Sequence, residues 1–219
     1  MSPAQHIAAI VAAWVAYGAL HSWLAASGVR QRLTKRWPAL RPAYRLLYNA
    51  VATVLVLPPL ALTWLYPGEP LWHWPAWVTW GAFGIAAIGF AISMRWYDGL
   101  DFLGLRQWQQ RGQPAECRDA FVLSPLHRYV RHPWYSLGLL YLWTRDLNAG
   151  WLAATIALTL YIVIGSRLEE RKLVETFGEP YRRYLERVPG LVPMPGRHLS
   201  VEEARGMTCE TPAQNDLES

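Results

Sequence analysis

Charge is scarce in this chain. Asp, Glu, Lys and Arg make up only 17% of its 219 residues, against 53% hydrophobic. Cysteine is scarcer still, with Cys117 and Cys209 the only two. Both fall on the side that the charge pattern assigns to the cytoplasm, so no disulfide and no structural metal site are expected. The chain has no glycine-rich dinucleotide loop, which argues against a soluble Rossmann-type cofactor module. It has no internal repeat. Its first apolar run lacks a basic leader and is longer than the core of a cleavable signal, so that run is expected to remain as a membrane span.

Long apolar runs and tryptophan are abundant. Three stretches, from about Ile7 to Ala26, Leu46 to Tyr66 and Trp77 to Met94, are each close to the ~20 residues a helix needs to cross a hydrocarbon core. A fourth block, Trp134 to Ile164, is interrupted by the polar run Arg145-Asp146-Leu147-Asn148-Ala149-Gly150, which predicts a hairpin of two helices with a short first arm. Thirteen tryptophans suit a chain with two membrane–water interfaces. The expectation is an all-α integral membrane protein with about five transmembrane helices, the last two a hairpin, plus a C-terminal amphipathic cytoplasmic helix.

The basic residues are sorted by side. Six lie in residues 26–45, six in residues 95–133 and eight in residues 167–219, leaving only Arg145. Five spans with the N-terminus outside and the C-terminus in the cytoplasm fit this alternation, and a bacterial inner membrane is the expected location. The net charge of +5 therefore reads as topology, and no nucleic-acid partner is expected. From Leu168 to Arg187, apolar residues recur every three to five positions among Glu, Lys and Arg. That pattern predicts an amphipathic helix broken at Gly178–Pro180. From His198 onward the chain is polar and aperiodic, and is expected to be a flexible tail.

Two charged clusters bracket the hairpin. At its entrance stands Arg131-His132-Pro133-Trp134-Tyr135. Pro133 suits the first turn of a helix, whose free N–H groups attract anions. At its exit stand Glu169 and Glu170, acids at a membrane boundary that need partners. They could pair with nearby arginines, or hold the cationic or hydroxyl groups of a ligand. Together the clusters offer a binder for a carboxylate and a binder for an ammonium or ribose, the polar groups of S-adenosylmethionine. Convergence of Arg131, His132 and Glu169 is the central structural expectation.

The segment from Leu126 to Tyr135 resembles the arginine-histidine-proline motif of the isoprenylcysteine carboxyl methyltransferase superfamily. Leu168 to Leu173, Phe177 to Tyr184 and Val188-Pro189 resemble its C-terminal signature. His21-Ser22, Tyr44 to Asn49 and Leu100 to Gln107 are similar to the branch holding NnrU-type proteins and methanethiol S-methyltransferases. The chain reads as one membrane domain over residues 1–197, and the resemblance places its cofactor half at about 119–193. It implies an S-adenosylmethionine-dependent methyltransferase of the 2.1.1 class. Asp119, Val122, His127, Arg131, His132, Pro133, Trp134 and Tyr135 would line the cofactor, with Glu169 and Glu170 at its polar end.

The chain departs from the superfamily at Pro125 and His127, where Gly and Tyr are usual. It also has Gly165 where the isoprenylcysteine branch carries an acceptor-binding arginine; Arg167 is turned about 200° away from that position. These departures favour a small lipophilic acceptor, a thiol first. His21, Arg45, Tyr48, Asp101 and Arg106 are the acceptor-side candidates, with His21 or Asp101 as base and Arg106 as a supporting cation. The alternatives are a protein or prenylcysteine carboxyl O-methyltransferase, an NADPH-dependent membrane reductase, and a non-enzymatic NnrU-like role in nitrogen-oxide respiration. Membrane lipids are expected partners, and no obligate protein partner is expected.

Overall fold

The computed structural model describes residues 2–96, 99–109 and 123–209. In chain order its elements are α1 (Pro3–Ala25), α2 (Ser27–Arg36), α3 (Tyr44–Leu55), α4 (Leu57–Leu65), the short strand β1 (Pro70–Trp72), α5 (Ala76–Ser93), α6 (Gly99–Leu103), α7 (Leu105–Gln109), α8 (Pro133–Trp143), the short strand β2 (Leu147–Asn148), α9 (Ala149–Phe177), α10 (Glu179–Arg187) and α11 (Val201–Cys209). Among the described residues four segments are long and apolar enough to cross a membrane: Pro3–Ala25, Tyr44–Leu65, Ala76–Trp96 and Ala149–Phe177. The protein is an all-α integral membrane protein.

Local chemistry sets the boundaries of these helices. Ser2 and Gln5 cap α1 reciprocally, with Ser2 N–H donating to Gln5 Oε1 (2.7 Å) and Gln5 N–H to Ser2 Oγ (3.3 Å). The second span is split at Val56 because Pro58 and Pro59 lack the N–H groups that would continue α3, and both are tolerated in the first turn of α4. Asn148 Oδ1 accepts the Trp151 N–H (2.9 Å) and so opens α9.

The hairpin arm α8 has only 11 residues, about 16 Å of helix, short of the ~30 Å of a hydrocarbon core. Its turn nevertheless lies beside the α4–α5 connection. Strands β1 and β2 pair antiparallel, Pro70 with Asn148 and Trp72 with Leu147. Ala149 and Gly150 donate to the carbonyls of Glu69 (3.0 Å) and Pro67 (2.8 Å). A five-crossing chain requires these two turns to share a side. The fourth of the five expected spans is not among the four segments long and apolar enough to cross; in its place stand the 11-residue α8 and the non-helical residues 144–148.

Two compact units emerge. The first holds α1 to α4, β1, α6, α7, β2 and α9 up to Ile162. Its core is Ile10, Trp14, Leu147, Trp151 and Ala154. Trp14 Nε1 donates to the buried Thr63 Oγ1 (3.1 Å), which in turn donates to the Pro59 carbonyl (2.7 Å), so no polar atom of this pair is left bare.

The second unit holds α5 from Phe83, α8 up to Tyr141, α9 from Val163, α10 and α11. Its core is Tyr181, Tyr184, Val188, Leu199 and Ala204. Residues 168–177, expected to begin a separate amphipathic helix, continue α9 instead, and the break falls at Gly178 (φ 62°). There the backbone enters a region that favours glycine, and Pro180 sits harmlessly in the first turn of α10.

The expected flexible tail from His198 is corrected over its described part. Leu199 is fully buried and α11 follows. Leu199 and Arg128 are joined twice: Leu199 N–H donates to the Arg128 carbonyl (3.0 Å), and Arg128 Nε to the Leu199 carbonyl (2.9 Å). Ser200 and Glu203 form a capping box, and Arg187 pairs with Glu203 (2.6 Å). Leu199 ahead of α11 and Ala204 within it are too few apolar anchors to make a periodic signal in the sequence.

Leu199→Ala would leave a cavity between α10 and α11. The expected cost is about 2–4 kcal/mol, read as a lower unfolding midpoint of the detergent-purified protein.

Candidate functional site

The two clusters at the mouths of the α8–α9 hairpin meet in the second unit. Arg131 Nε donates to Glu170 Oε1 (2.7 Å), and His132 Nε2 lies 3.0 Å from the same oxygen. His132 Nδ1 is 3.7 Å from Glu169 Oε2, and the Tyr135 hydroxyl donates to that oxygen (3.2 Å). The rings of His132 and Tyr135 stack at 5.3 Å with 15° between their planes. The expected convergence of Arg131, His132 and Glu169 is therefore present, and Tyr135 and Glu170 belong to it.

The two acids differ in their surroundings. The Glu170 side chain is 15% exposed and that of Glu169 is 48%. Glu170 is held by a guanidinium and an imidazole; Glu169 is held by a phenol and presents much of its carboxylate outward. Arg131 is also bound on its other side. Its Nη1 donates to the carbonyls of Leu185 (3.1 Å) and Val188, and its backbone N–H donates to Pro189 (2.9 Å). His132 N–H donates to Gly190 (3.1 Å). From the sequence, Arg131 was expected to donate to an anionic group of the ligand. The structure uses its guanidinium to tie the C-terminal end of α10 to Glu170.

Other expected cofactor residues sit around this cluster. Pro133 is buried and opens α8. Trp134 turns away from the acids, donating to the buried Ser93 Oγ (2.7 Å) and packing on Phe90 of α5. The His127 ring is close to Ser124, whose N–H donates to Nδ1 (3.2 Å), and its carbonyl accepts from the Tyr184 hydroxyl (2.7 Å). Asp119 and Val122 lie outside the described residues. Tyr181, part of the C-terminal signature but not among the expected site residues, is buried in the second core; burial, and then the Glu170 carboxylate, push its phenol up, so it stays protonated at neutral pH.

The acceptor-side candidates fall in the first unit and form two groups. His21 Nδ1 is 2.6 Å from the Tyr161 hydroxyl and Nε2 is 2.7 Å from the Tyr48 hydroxyl. Gly18 lets the Tyr161 ring approach, since a Cβ there would meet it at 2.9 Å. The Ser22 hydroxyl donates to the Tyr161 oxygen (3.2 Å). Asp101 instead pairs with Arg45 Nη1 (3.7 Å) and accepts from Gln107 Nε2 (3.1 Å). Arg45 Nε and Asn49 Nδ2 both donate to the Phe102 carbonyl (3.1 Å each). These bonds fasten α6 and α7 to α3, which is structural work for Asp101. Arg106 is partly buried on α7. Tyr161 was not legible as a site residue because it stands alone in the apolar run Leu160-Tyr161-Ile162.

The chain is thus an all-α membrane protein whose paired acids face an Arg-His-Pro turn, and comparison with known proteins gives its class, the methyltransferases. A methanethiol S-methyltransferase of Pseudomonas sp. (strain GM41(2012)) is 32% identical over 195 residues, covering 81% of this chain and 69% of that protein. One of Mycobacterium tuberculosis is 31% identical over 189 residues, covering 81% and 74%. One of Pseudomonas deceptionensis is 37% identical over 119 residues, but the match spans only 53% of this chain and 43% of that protein. The chain belongs to the methanethiol S-methyltransferase family. No family model matches it, and no solved structure does.

Burial, and then the nearby His132, hold the His127 imidazole well below its usual range, at about 4. The folded state therefore resists a proton that the unfolded chain takes up near its usual value of about 6.5. Stability from this group is complete above pH ~6.5 and is lost as pH falls toward 4, by about 3 kcal/mol in all. His127→Gln should flatten that part of the stability profile, measured as unfolding midpoint against pH.

Proposed function

We propose that this chain is an integral membrane methyltransferase that moves the methyl group of S-adenosylmethionine to a small lipophilic thiol of the methanethiol type. One observation carries the reading: a chain of this family brings Arg131, His132 and Tyr135 onto the acid pair Glu169–Glu170. The donor set suits the proposed cofactor. With Glu170 neutralised by Arg131, the half-exposed Glu169 carboxylate is the acceptor left for an ammonium or ribose hydroxyl. Tyr135 and His132 fix its orientation. Arg131 and Glu170 act as positioning residues, anchoring the acid pair to the end of α10.

The sulfonium of S-adenosylmethionine supplies an already activated methyl group. The protein's share is to orient Glu169, hold the reactants in line and dispose of one proton, since a thiol near pKa ~8.5 is mostly protonated at neutral pH. We assign that proton to His21. Tyr48 and Tyr161 hold its two ring nitrogens in fixed directions, and Asp101 is occupied by Arg45 and Gln107. The basic-rich connections, including α2, face the cytoplasm of a bacterial inner membrane.

Titration calorimetry with S-adenosylhomocysteine tests the cofactor site. Wild type binds; Glu169→Ala binds at least ~10-fold more weakly, as expected for loss of a charge-assisted hydrogen bond, and keeps its unfolding midpoint. Glu170→Ala instead lowers the midpoint, because it strands the Arg131 guanidinium, at a cost of about 3 kcal/mol. No binding by folded wild type overturns the reading. For the acceptor, His21→Ala should lower kcat for labelled methyl transfer to methanethiol by about 100-fold or more while leaving S-adenosylhomocysteine binding unchanged.

A further inference from the structure

Helix α2 is unlike the rest of the chain. Its ten residues, SGVRQRLTKR, contain four cations and no acid, and none of them is buried. Arg41 and Arg45 follow, and residues 26–45 contain no Asp or Glu. Arg30, Arg32, Lys35 and Arg36 are all exposed. None has an ion-pair partner among the described residues; Arg36 lies over the Trp37 ring at 5.6 Å.

The spacing concentrates this charge. Arg32, Lys35 and Arg36 occupy an arc of about 100° on the helix. Like charges three and four residues apart repel and destabilise a helix. Val29 and Leu33, both partly buried, lie along the edge of the same arc, the pattern of a helix that rests in a membrane interface. Position selects the anion. Only Ala26 separates α2 from the membrane-spanning α1, and the next span opens at Tyr44. Trp23 and Trp37, 57% and 51% exposed, flank the helix, as interfacial tryptophans do.

We infer that α2 is an anionic-phospholipid binding surface, on which Arg32, Lys35 and Arg36 take the phosphates of lipid headgroups. The site does not depend on the methyl-transfer reading. Phosphate groups relieve the repulsion within the arc, and each cation near a negative lipid surface adds to the attraction.

The test uses the full chain in a neutral detergent. Phosphatidylglycerol added to the micelles should raise the unfolding midpoint of wild type by about 5 °C, and phosphatidylcholine should not. The triple variant Arg32→Gln, Lys35→Gln, Arg36→Gln should lose most of that gain. The single variants Arg32→Gln and Arg36→Gln should lose part of it, which covers the case of a triple variant that does not fold. Raising NaCl from about 50 to 500 mM should shrink the wild-type gain. An equal gain in the variants, or with phosphatidylcholine, overturns the proposal. So does an equal gain from soluble glycerol phosphate, which would make α2 a free-phosphate site. No gain from phosphatidylglycerol overturns it as well.

Discussion

A carboxylate at the end of an apolar helix is costly unless partners are built around it. Glu170 sits at such a point, and one of its oxygens is shared by Arg131 and His132. Much of the second unit follows from this. Arg131 must lie beside Glu170, so the turn ahead of α8 is drawn to the end of α9. The same guanidinium also takes the carbonyls of Leu185 and Val188, so α10 is brought in as well. Tyr181 and Tyr184 then pack beneath, and the Tyr184 hydroxyl reaches back to the His127 carbonyl. A single charge that demands neutralisation joins the turn ahead of α8 to the consecutive helices α9 and α10, about 40 to 60 residues further along the chain.

The paired acids therefore divide their labour. Neighbouring residues on a helix point about 100° apart, so one can face the protein while the other faces out. Glu170 is the inward member, consumed by its partners. Glu169 is the outward member, restrained by Tyr135 but not neutralised. A cation-binding acid needs both conditions: a fixed direction and an unspent charge. Both acids were expected at the cofactor, and their unequal burial is what singles out Glu169 as the proposed binder.

The sequence was most informative where chemistry is punctuated. Apolar runs set off by charge located the spans, and Gly178–Pro180 marked the break before α10. The Arg-His-Pro turn and the acid pair stood out because charge is rare in this chain. Long-range pairings had no such marker. Tyr161 meets His21 across 140 residues, and the only trace of that contact in the sequence is the absence of a side chain at Gly18. Leu199 and Ala204 look like parts of a polar tail because two anchors make no period. The hairpin's first arm was expected to be short, and α8 has only 11 helical residues, with β1 and β2 paired at the turn that follows it.

The first unit obeys the same rule as the second, with different groups. A histidine among apolar spans must have both ring nitrogens satisfied or bear the cost of burial. Main-chain carbonyls within a span are already committed to the helix, so the partners have to be side chains. Two tyrosines meet that need, and unlike carboxylates they do so without adding charge. An imidazole between two neutral hydroxyls keeps a fixed orientation and can change protonation without breaking an ion pair. Asp101, bound to Arg45, would have to give up such a pair to act as a base. That difference, more than proximity to any sequence motif, favours His21 over Asp101 for the proton.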